Sequence, residues 1–295
     1  MKLALLNLGA ADTLVSEVAG KLSCRIMPVE QRSFPDGEAY VRLTEEVSGQ
    51  DVLIFCSLDH ANDKVLPLLF AADAARFQGA RRVGLVAPYL AYMRQDRMFH
   101  DGEAVTSRTF ARLLSGAFDW LLTVDPHLHR YASLGAIYSI PTTVVSASRA
   151  IAEWIGSNVA EPVIVGPDAE SEQWVEQVAT FISAPHAIFS KTRAGDYDVR
   201  LDGSQLPALH GTPVVVDDLI SSARTMASAV TALRAKSPNV PVCVGVHALF
   251  AGDGYQVLRK AGPARICTTD TIPHQTNGIP MAGDLAAAIE HWAHG

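Results

Sequence analysis

The chain is poor in charge, in cysteine and in long apolar runs. Charged residues fill 19% of its 295 positions, and the formal net charge is −7. An acidic surface repels a polyanion, so a nucleic-acid partner held by general electrostatics is excluded. Only four cysteines occur, Cys24, Cys56, Cys243 and Cys267. None forms a C-x-x-C pair, and no Cys/His cluster has zinc spacing, which excludes a disulfide framework and a zinc module. Three of them sit in or beside apolar runs and read as buried free thiols. No apolar stretch approaches the length of a membrane span. The short run Leu3–Leu6 lacks the long apolar region of a secretory signal and reads as a first strand. Together these features predict a cytoplasmic protein that meets neither nucleic acid nor membrane.

Apolar residues make up 48% of the chain, enough for a sizeable core. They fall into short runs bounded by turn residues: Leu3–Leu8, Val52–Cys56, Val83–Ala87, Trp120–Val124, Val163–Val165, Ala187–Phe189, Pro213–Val216, Val242–Leu249 and Ile266–Thr268. Continuous rather than alternating apolarity is the mark of strands covered on both faces. Helix-length stretches lie between them, over Asp63–Phe77, Ser107–Ser115, Ser148–Ile155, Ser171–Phe181 and Thr225–Ala235. Strands alternating with helices predict an α/β fold built on parallel sheets. The alternation occurs twice, which predicts two domains, residues 1–145 and 146–295. The final helix, Ala282–Ala293, is a candidate to pack back on the first domain. The polar stretch Thr192–Leu209 predicts a loop with a small hairpin, placed to act as an active-site flap.

The most informative segment runs from Val214 to Thr225. An apolar strand leads into Asp217 and Asp218, then a hydroxyl-rich turn, then a helix. Open α/β sheets gather ligands at the carboxyl ends of their strands. A helix N-terminus offers free N–H groups and a dipole to a phosphate. Ser221, Ser222 and Thr225 add hydroxyl donors, while the two aspartates suit sugar hydroxyls or a hard cation. Other motifs also follow strands. Phe34-Pro35-Asp36-Gly37-Glu38 is a turn in which Gly37 is free to take positive φ. Arg94-Gln95-Asp96-Arg97 follows Val83–Ala87 and suits a triphosphate tail. Downstream, Asp101-Gly102-Glu103 is expected to open the next helix. Asp125-Pro126-His127-Leu128-His129 follows Trp120–Val124 and brings an acid and imidazoles to a strand end.

The segment Asp217–Thr225 resembles the phosphoribosyl-diphosphate loop of type I phosphoribosyltransferases. With Phe34–Glu38, Arg94–Arg97, Asp125–His127, Gly166-Pro167-Asp168 and Lys191-Thr192-Arg193 in this order, nearly the whole chain resembles the ribose-phosphate diphosphokinase family. The wording Pro88–Arg97 followed by Gly102-Glu103-Ala104 is closest to its archaeal-type branch. The resemblance implies two tandem phosphoribosyltransferase-like domains. It implies transfer of a diphosphate from ATP to ribose 5-phosphate, with Mg2+ as cofactor. Carried over residue by residue, Lys191 and Arg193 are catalytic. Phe34, Asp36, Glu38, Arg94, Gln95, Asp96 and Arg97 bind ATP. Asp168, Asp217, Asp218, Ser221, Ser222, Ala223, Arg224 and Thr225 bind ribose 5-phosphate, and Asp125, His127 and Asp168 attend the metal. It further implies a homodimer or larger homo-oligomer with sites shared between subunits.

Two departures stand out. Ala223-Arg224 replaces a glycine-containing pair, and an alanine suits that place if its φ is negative. Ala169-Glu170-Ser171 stands where the family carries glycines or a lysine. Two other readings share the loop: a phosphoribosyltransferase that consumes the diphosphate, and a catalytically silent nucleotide-binding regulator.

Overall fold

The structure, a computed structural model, describes residues 2–128, 130–193, 199–202 and 210–294. The chain divides into two compact units, 1–145 with 281–295, and 146–280.

In chain order the first unit holds β1 (Leu3–Asn7), α1 (Asp12–Lys21), β2 (Arg25–Met27), β3 (Val29–Ser33), β4 (Ala39–Leu43), β5 (Asp51–Phe55), α2 (Ala61–Phe77), β6 (Arg82–Ala87), α3 (Thr106–Ala117), β7 (Trp120–Val124) and β8 (Thr142–Val145). Six strands form one parallel sheet in the order β2-β1-β5-β6-β7-β8, and β3 and β4 form a separate antiparallel hairpin. The apolar runs become the inner strands because helices cover both faces. All five residues of β5 are buried. One of them is Asp51, which Arg81 and Arg82 neutralise at 2.7 Å each. Burial alone would raise that carboxyl, but the two guanidinium groups hold it below its ordinary range.

The second unit holds α4 (Ser148–Asn158), β9 (Pro162–Gly166), α5 (Glu172–Ile182), β10 (His186–Ile188), β11 (Ser190–Arg193), β12 (Val199–Asp202), β13 (Thr212–Leu219), α6 (Arg224–Arg234), β14 (Val242–His247), α7 (Gly254–Ala261), β15 (Arg265–Thr269) and β16 (Asn277–Ile279). Its parallel sheet runs β10-β9-β13-β14-β15-β16, the same order as the first once the hairpins are set aside. The small hairpin expected in the polar stretch exists as β11 paired antiparallel with β12. Residues 194–198 and 203–209 of that stretch, including Gly195, Gly203 and Pro207, lie outside the described residues.

The last helix, α8 (Ala282–His294), belongs to the first unit. Trp292 stacks on buried Trp120 with ring centroids 4.5 Å apart and planes 9° from parallel. The guanidinium of Arg82 lies 4.2 Å above the Trp292 ring. A stacked indole pair capped by a cation fixes the helix end at a defined point on the sheet.

Several elements have no counterpart in the expected pattern: α1, β2, β8, α7 and β16. Most are short or polar on one side. β2 and β16 have three residues each, too few to show a period. The strand read as Pro213–Val216 extends to Leu219, so Asp217 and Asp218 are its last third rather than part of the following turn.

Candidate active site

In both sheets the strand order reverses between two neighbours, β1 and β5 in the first unit and β9 and β13 in the second. Such a reversal opens a crevice beyond the carboxyl ends of the two strands, because the connections leave in opposite directions. Asp168 follows β9, and Asp217 and Asp218 end β13, so the acids of the second unit stand at its crevice. The register Val215 beside Val165 brings the two strand ends level.

The carboxylates sense one another. Burial first, then the negative charges of Asp218 and Asp168, push the Asp217 carboxyl well above its ordinary range. The Asp218 N–H donates to Asp217 Oδ1 at 3.0 Å and fixes that side chain against the strand. Asp168 is oriented by its own turn: the Glu170 N–H donates to Asp168 Oδ1 at 3.1 Å, and Ser171 Oγ donates to the Asp168 carbonyl at 2.6 Å. The Ala169-Glu170-Ser171 departure is therefore a short 3-10 turn that holds Asp168 by serine and backbone. Gly166 permits it, since a Cβ there would lie 2.3 Å from Ser171 Oγ.

Beyond β13 the chain runs through Ile220 to Ala223 and enters α6 at Arg224. Ser221 and Thr225 are half-buried and Ser222 is exposed. Ala223 is the residue before the helix and has φ +59°, in the left-handed region. This corrects the negative φ that would suit alanine. The backbone keeps the bend that glycine makes freely, and the small methyl is buried in the second unit's core. Ser222 does not cap α6. Arg224 Nη2 lies 3.7 Å from Asp253 Oδ1 on the exposed surface rather than over the turn. The turn is braced from behind. The Phe250 and Ala251 N–H groups donate to the carbonyls of Ile220 and Ser221 at 2.8 and 3.1 Å, and the Ile220 N–H donates to His247 at 3.0 Å. Gly254 approaches so closely that a Cβ would lie 2.5 Å from the Ser221 carbonyl oxygen.

This brace of residues 247–254 was invisible in the sequence. So was the buried network that secures it, in which His247 Nδ1 pairs with Thr271 Oγ1 at 2.9 Å and Thr271 with Thr269 at 2.9 Å. The Thr269-Asp270-Thr271 run at a strand end was the only available signal.

In the first unit Phe34–Glu38 is the tip of the β3–β4 hairpin. Gly37 has φ +93°, as the turn requires. The Glu38 N–H donates to Asp36 Oδ1 at 3.1 Å, and Arg32 lies between the Phe34 and Tyr40 rings, 4.5 and 4.3 Å from their centroids. Phe34 is 40% exposed, not buried. Arg94 and Arg97 are exposed after β6, with Arg97 5.0 Å from the Phe99 ring. Gln95 is half-buried and its carbonyl accepts from the Ser107 N–H at 3.3 Å. Asp96 differs from the expectation of a ligand-facing acid. It is 6% exposed, its Oδ1 accepts from Arg130 at 2.7 Å, and its carbonyl accepts from Tyr131. Glu103 accepts from the Phe99 N–H at 2.8 Å, so Asp101–Glu103 closes a turn before α3 instead of opening the helix. Asp125 and His127 are half-buried after β7, with Asp125 at φ +32° and its N–H donating to Val145 at 3.1 Å. His129 lies outside the described residues. Lys191 and Arg193 lie on β11 by backbone; their side chains lie outside the described part of the chain.

The crevice of the first unit is filled from within. Lys64 Nζ donates to the Ser57 carbonyl at 2.8 Å and to Asp59 Oδ1 at 2.7 Å, and Asn7 Oδ1 accepts from the Ala10 N–H at 2.9 Å.

Residues 3–117 match the model of the N-terminal domain of ribose phosphate pyrophosphokinase, and residues 133–284 match that of the phosphoribosyl transferase domain. The chain belongs to the ribose-phosphate pyrophosphokinase family. The ribose-phosphate pyrophosphokinase of Methanopyrus kandleri is 31% identical, over 93% of this chain and 94% of its own length. That of Methanothermobacter thermautotrophicus is also 31% identical, over 97% and 99%. Among solved structures, the phosphoribosylpyrophosphate synthetase of Mycobacterium smegmatis covers 100% of both chains with a TM-score of 0.87 at 25% identity. The two parallel sheets flanked by helices are the architecture of that family. No helix among the described residues is long and apolar enough to cross a membrane.

Proposed function

We propose that the protein transfers the β,γ-diphosphate of ATP to C1 of ribose 5-phosphate, giving 5-phosphoribosyl 1-diphosphate and AMP. The observation that carries this reading is the set of three carboxylates at the β9–β13 crevice, directly before a braced turn that feeds a helix N-terminus. Asp217 and Asp218 hold the ribose hydroxyls. Ser221 to Thr225 and the first turn of α6 hold the 5-phosphate. On the nucleotide side, Phe34, Asp36 and Glu38 meet adenine, and Arg94, Gln95 and Arg97 meet the phosphates. Asp96 acts behind them, through Arg130. The hairpin tip serves a neighbouring subunit's site, so the working form is a homo-oligomer. A cytoplasmic setting and the division of labour between residues 1–145 and 146–295 belong to the same reading.

The ribose C1 hydroxyl attacks the β-phosphorus in line and AMP departs. The protein's task is to position two anions and offset their charge. Lys191 and Arg193 supply positive charge to the transferring group. The residues also fit Mg2+. Asp168 and Asp217 crowd their negative charge together, which is an oxygen donor set suited to a hard cation. Among the described residues no three His, Cys, Asp or Glu side chains form a complete cage. Asp168, Asp125 and His127 are the residues that would hold Mg2+, which would offset charge on the phosphates.

The test is AMP release from ATP with Mg2+, with and without ribose 5-phosphate. Sugar-dependent AMP is the expected result. No AMP, together with base-dependent diphosphate release, would assign a phosphoribosyltransferase instead. Lys191→Ala should raise the barrier by about 3–5 kcal/mol while ATP still binds. Unchanged turnover would remove Lys191 from the chemistry.

A further inference from the structure

Arg224 and Asp253 face each other on the exposed surface beside the sugar-phosphate turn, and their arrangement is unusual in three ways. Arg224 is the first residue of α6, where a cation is disfavoured by the helix dipole unless an anion is near. Asp253 precedes α7, the place where an aspartate ordinarily caps its own helix, yet its side chain makes no capping hydrogen bond. Instead its carboxylate stands 3.7 Å from Arg224, too far for a good hydrogen bond and close enough for an ion pair. Both side chains are largely exposed, at 70% and 68%. Meanwhile Ala251 and Gly254, on either side of Asp253, hold the Ser221 backbone directly. The backbone that carries the acid is therefore tied to the turn, while both charged side chains extend into water.

We infer that Asp253 is an exchangeable counter-ion that Arg224 leaves when a phosphorylated sugar enters the turn. This rests on the sugar-phosphate reading of the site. A loosely held, solvent-screened pair exchanges at little cost, so a ligand phosphate can displace the carboxylate. Once Arg224 turns to the phosphate, Asp253 is released to cap α7. Small anions must overcome the same competition without the sugar contacts that Asp217 and Asp218 provide. The pair thus lowers the affinity of the turn for inorganic phosphate and for the phosphorylated sugar alike, and the contacts of Asp217 and Asp218 with the ribose favour the sugar independently of it.

The experiment is calorimetric binding of ribose 5-phosphate and of inorganic phosphate to the full chain without ATP. The proteins are wild type, Asp253→Asn, Arg224→Ala and the double variant. Asparagine caps a helix as well as aspartate, so this substitution removes charge and keeps the cap. Asp253→Asn should tighten both ligands by about two- to fivefold, the range for an exposed pair. In the Arg224→Ala background the same change should have no effect. Affinities that ignore Asp253, or an Asp253 effect that persists undiminished without Arg224, overturn the exchange. Failure of wild type to bind ribose 5-phosphate at all overturns the sugar-phosphate reading and the exchange with it.

Discussion

Gly254→Ala tests whether the sugar-phosphate turn works as a braced object. Gly254 has no positive φ, so alanine meets no backbone conflict of its own. Its Cβ would instead lie 2.5 Å from the Ser221 carbonyl oxygen and 3.2 Å from the Ser222 carbonyl. These are backbone atoms and cannot rotate aside. To restore ordinary contact the turn must retreat by about 0.8 Å. Ser221 carries a proposed phosphate donor, and misplacement of about 1 Å in a positioned group costs on the order of 10²-fold in rate. The expected result is a fall in kcat/KM for ribose 5-phosphate of about 10–100-fold, or about 1.4–2.7 kcal/mol of lost transition-state stabilisation. The KM for ATP should hold, since its proposed contacts are in the other unit. The assay is AMP release with each substrate varied in turn, alongside thermal unfolding to show that the variant is folded. Wild-type kinetics in a folded Gly254→Ala protein would refute the argument that the brace positions the turn.

Asp217→Asn should abolish turnover yet stabilise the metal-free protein. The folded state holds the Asp217 proton more tightly than the unfolded chain does, since burial and then Asp218 and Asp168 raise its carboxyl. The stability this proton confers is present in acid and lost as pH rises through the folded value. The melting advantage of the variant should therefore be largest at neutral pH and shrink toward the ordinary carboxylate range; an equal advantage at every pH would contradict it. Trp292→Ala removes a stacked ring and the partner of Arg82, at a cost of about 2–3 kcal/mol. A thermal melt reads the loss, and Trp120 fluorescence should change with it; an unaltered melt would mean that α8 is held by its other contacts.

The sheets were legible because β5, β7 and β13 carry unbroken apolar runs, Val52–Phe55, Trp120–Leu122 and Val214–Val216, a pattern that suits a doubly covered strand. The placement of Asp217 and Asp218 at a strand end was legible because the apolar run of β13 leads directly into them. Asp96 misled because sequence records a charge and not its partner: Arg130 is 34 residues away along the chain. Ala223 misled for a different reason. Alanine has no preference for a left-handed bend, so nothing local announces φ +59°. The turn keeps that conformation because hydrogen bonds from Phe250 and Ala251 fix the carbonyls of Ile220 and Ser221. Local propensity is overridden by contacts made about 30 residues later, which no window of sequence displays.

The two units also differ in what their crevices offer to the sugar proposed above. Their sheets share one strand order and therefore one topological crevice each. In the first, Lys64 reaches Ser57 and Asp59, and a Cβ added to Gly9, whose φ is +130°, would lie 3.6 Å from Lys64 Cε. The Lys64 ammonium satisfies the Ser57 carbonyl and the Asp59 carboxylate, so those two groups make little demand on a ligand. In the second, carboxylates confront one another across β9 and β13, and burial deepens their repulsion. Such a site is less stable empty than filled, because cations or hydroxyls relieve the crowding. The same architecture is closed by a lysine in one copy and opened by aspartates in the other. The proposed nucleotide contacts in the first unit accordingly lie outside its crevice, at Arg94 and Arg97 after β6 and at Asp125 and His127 after β7.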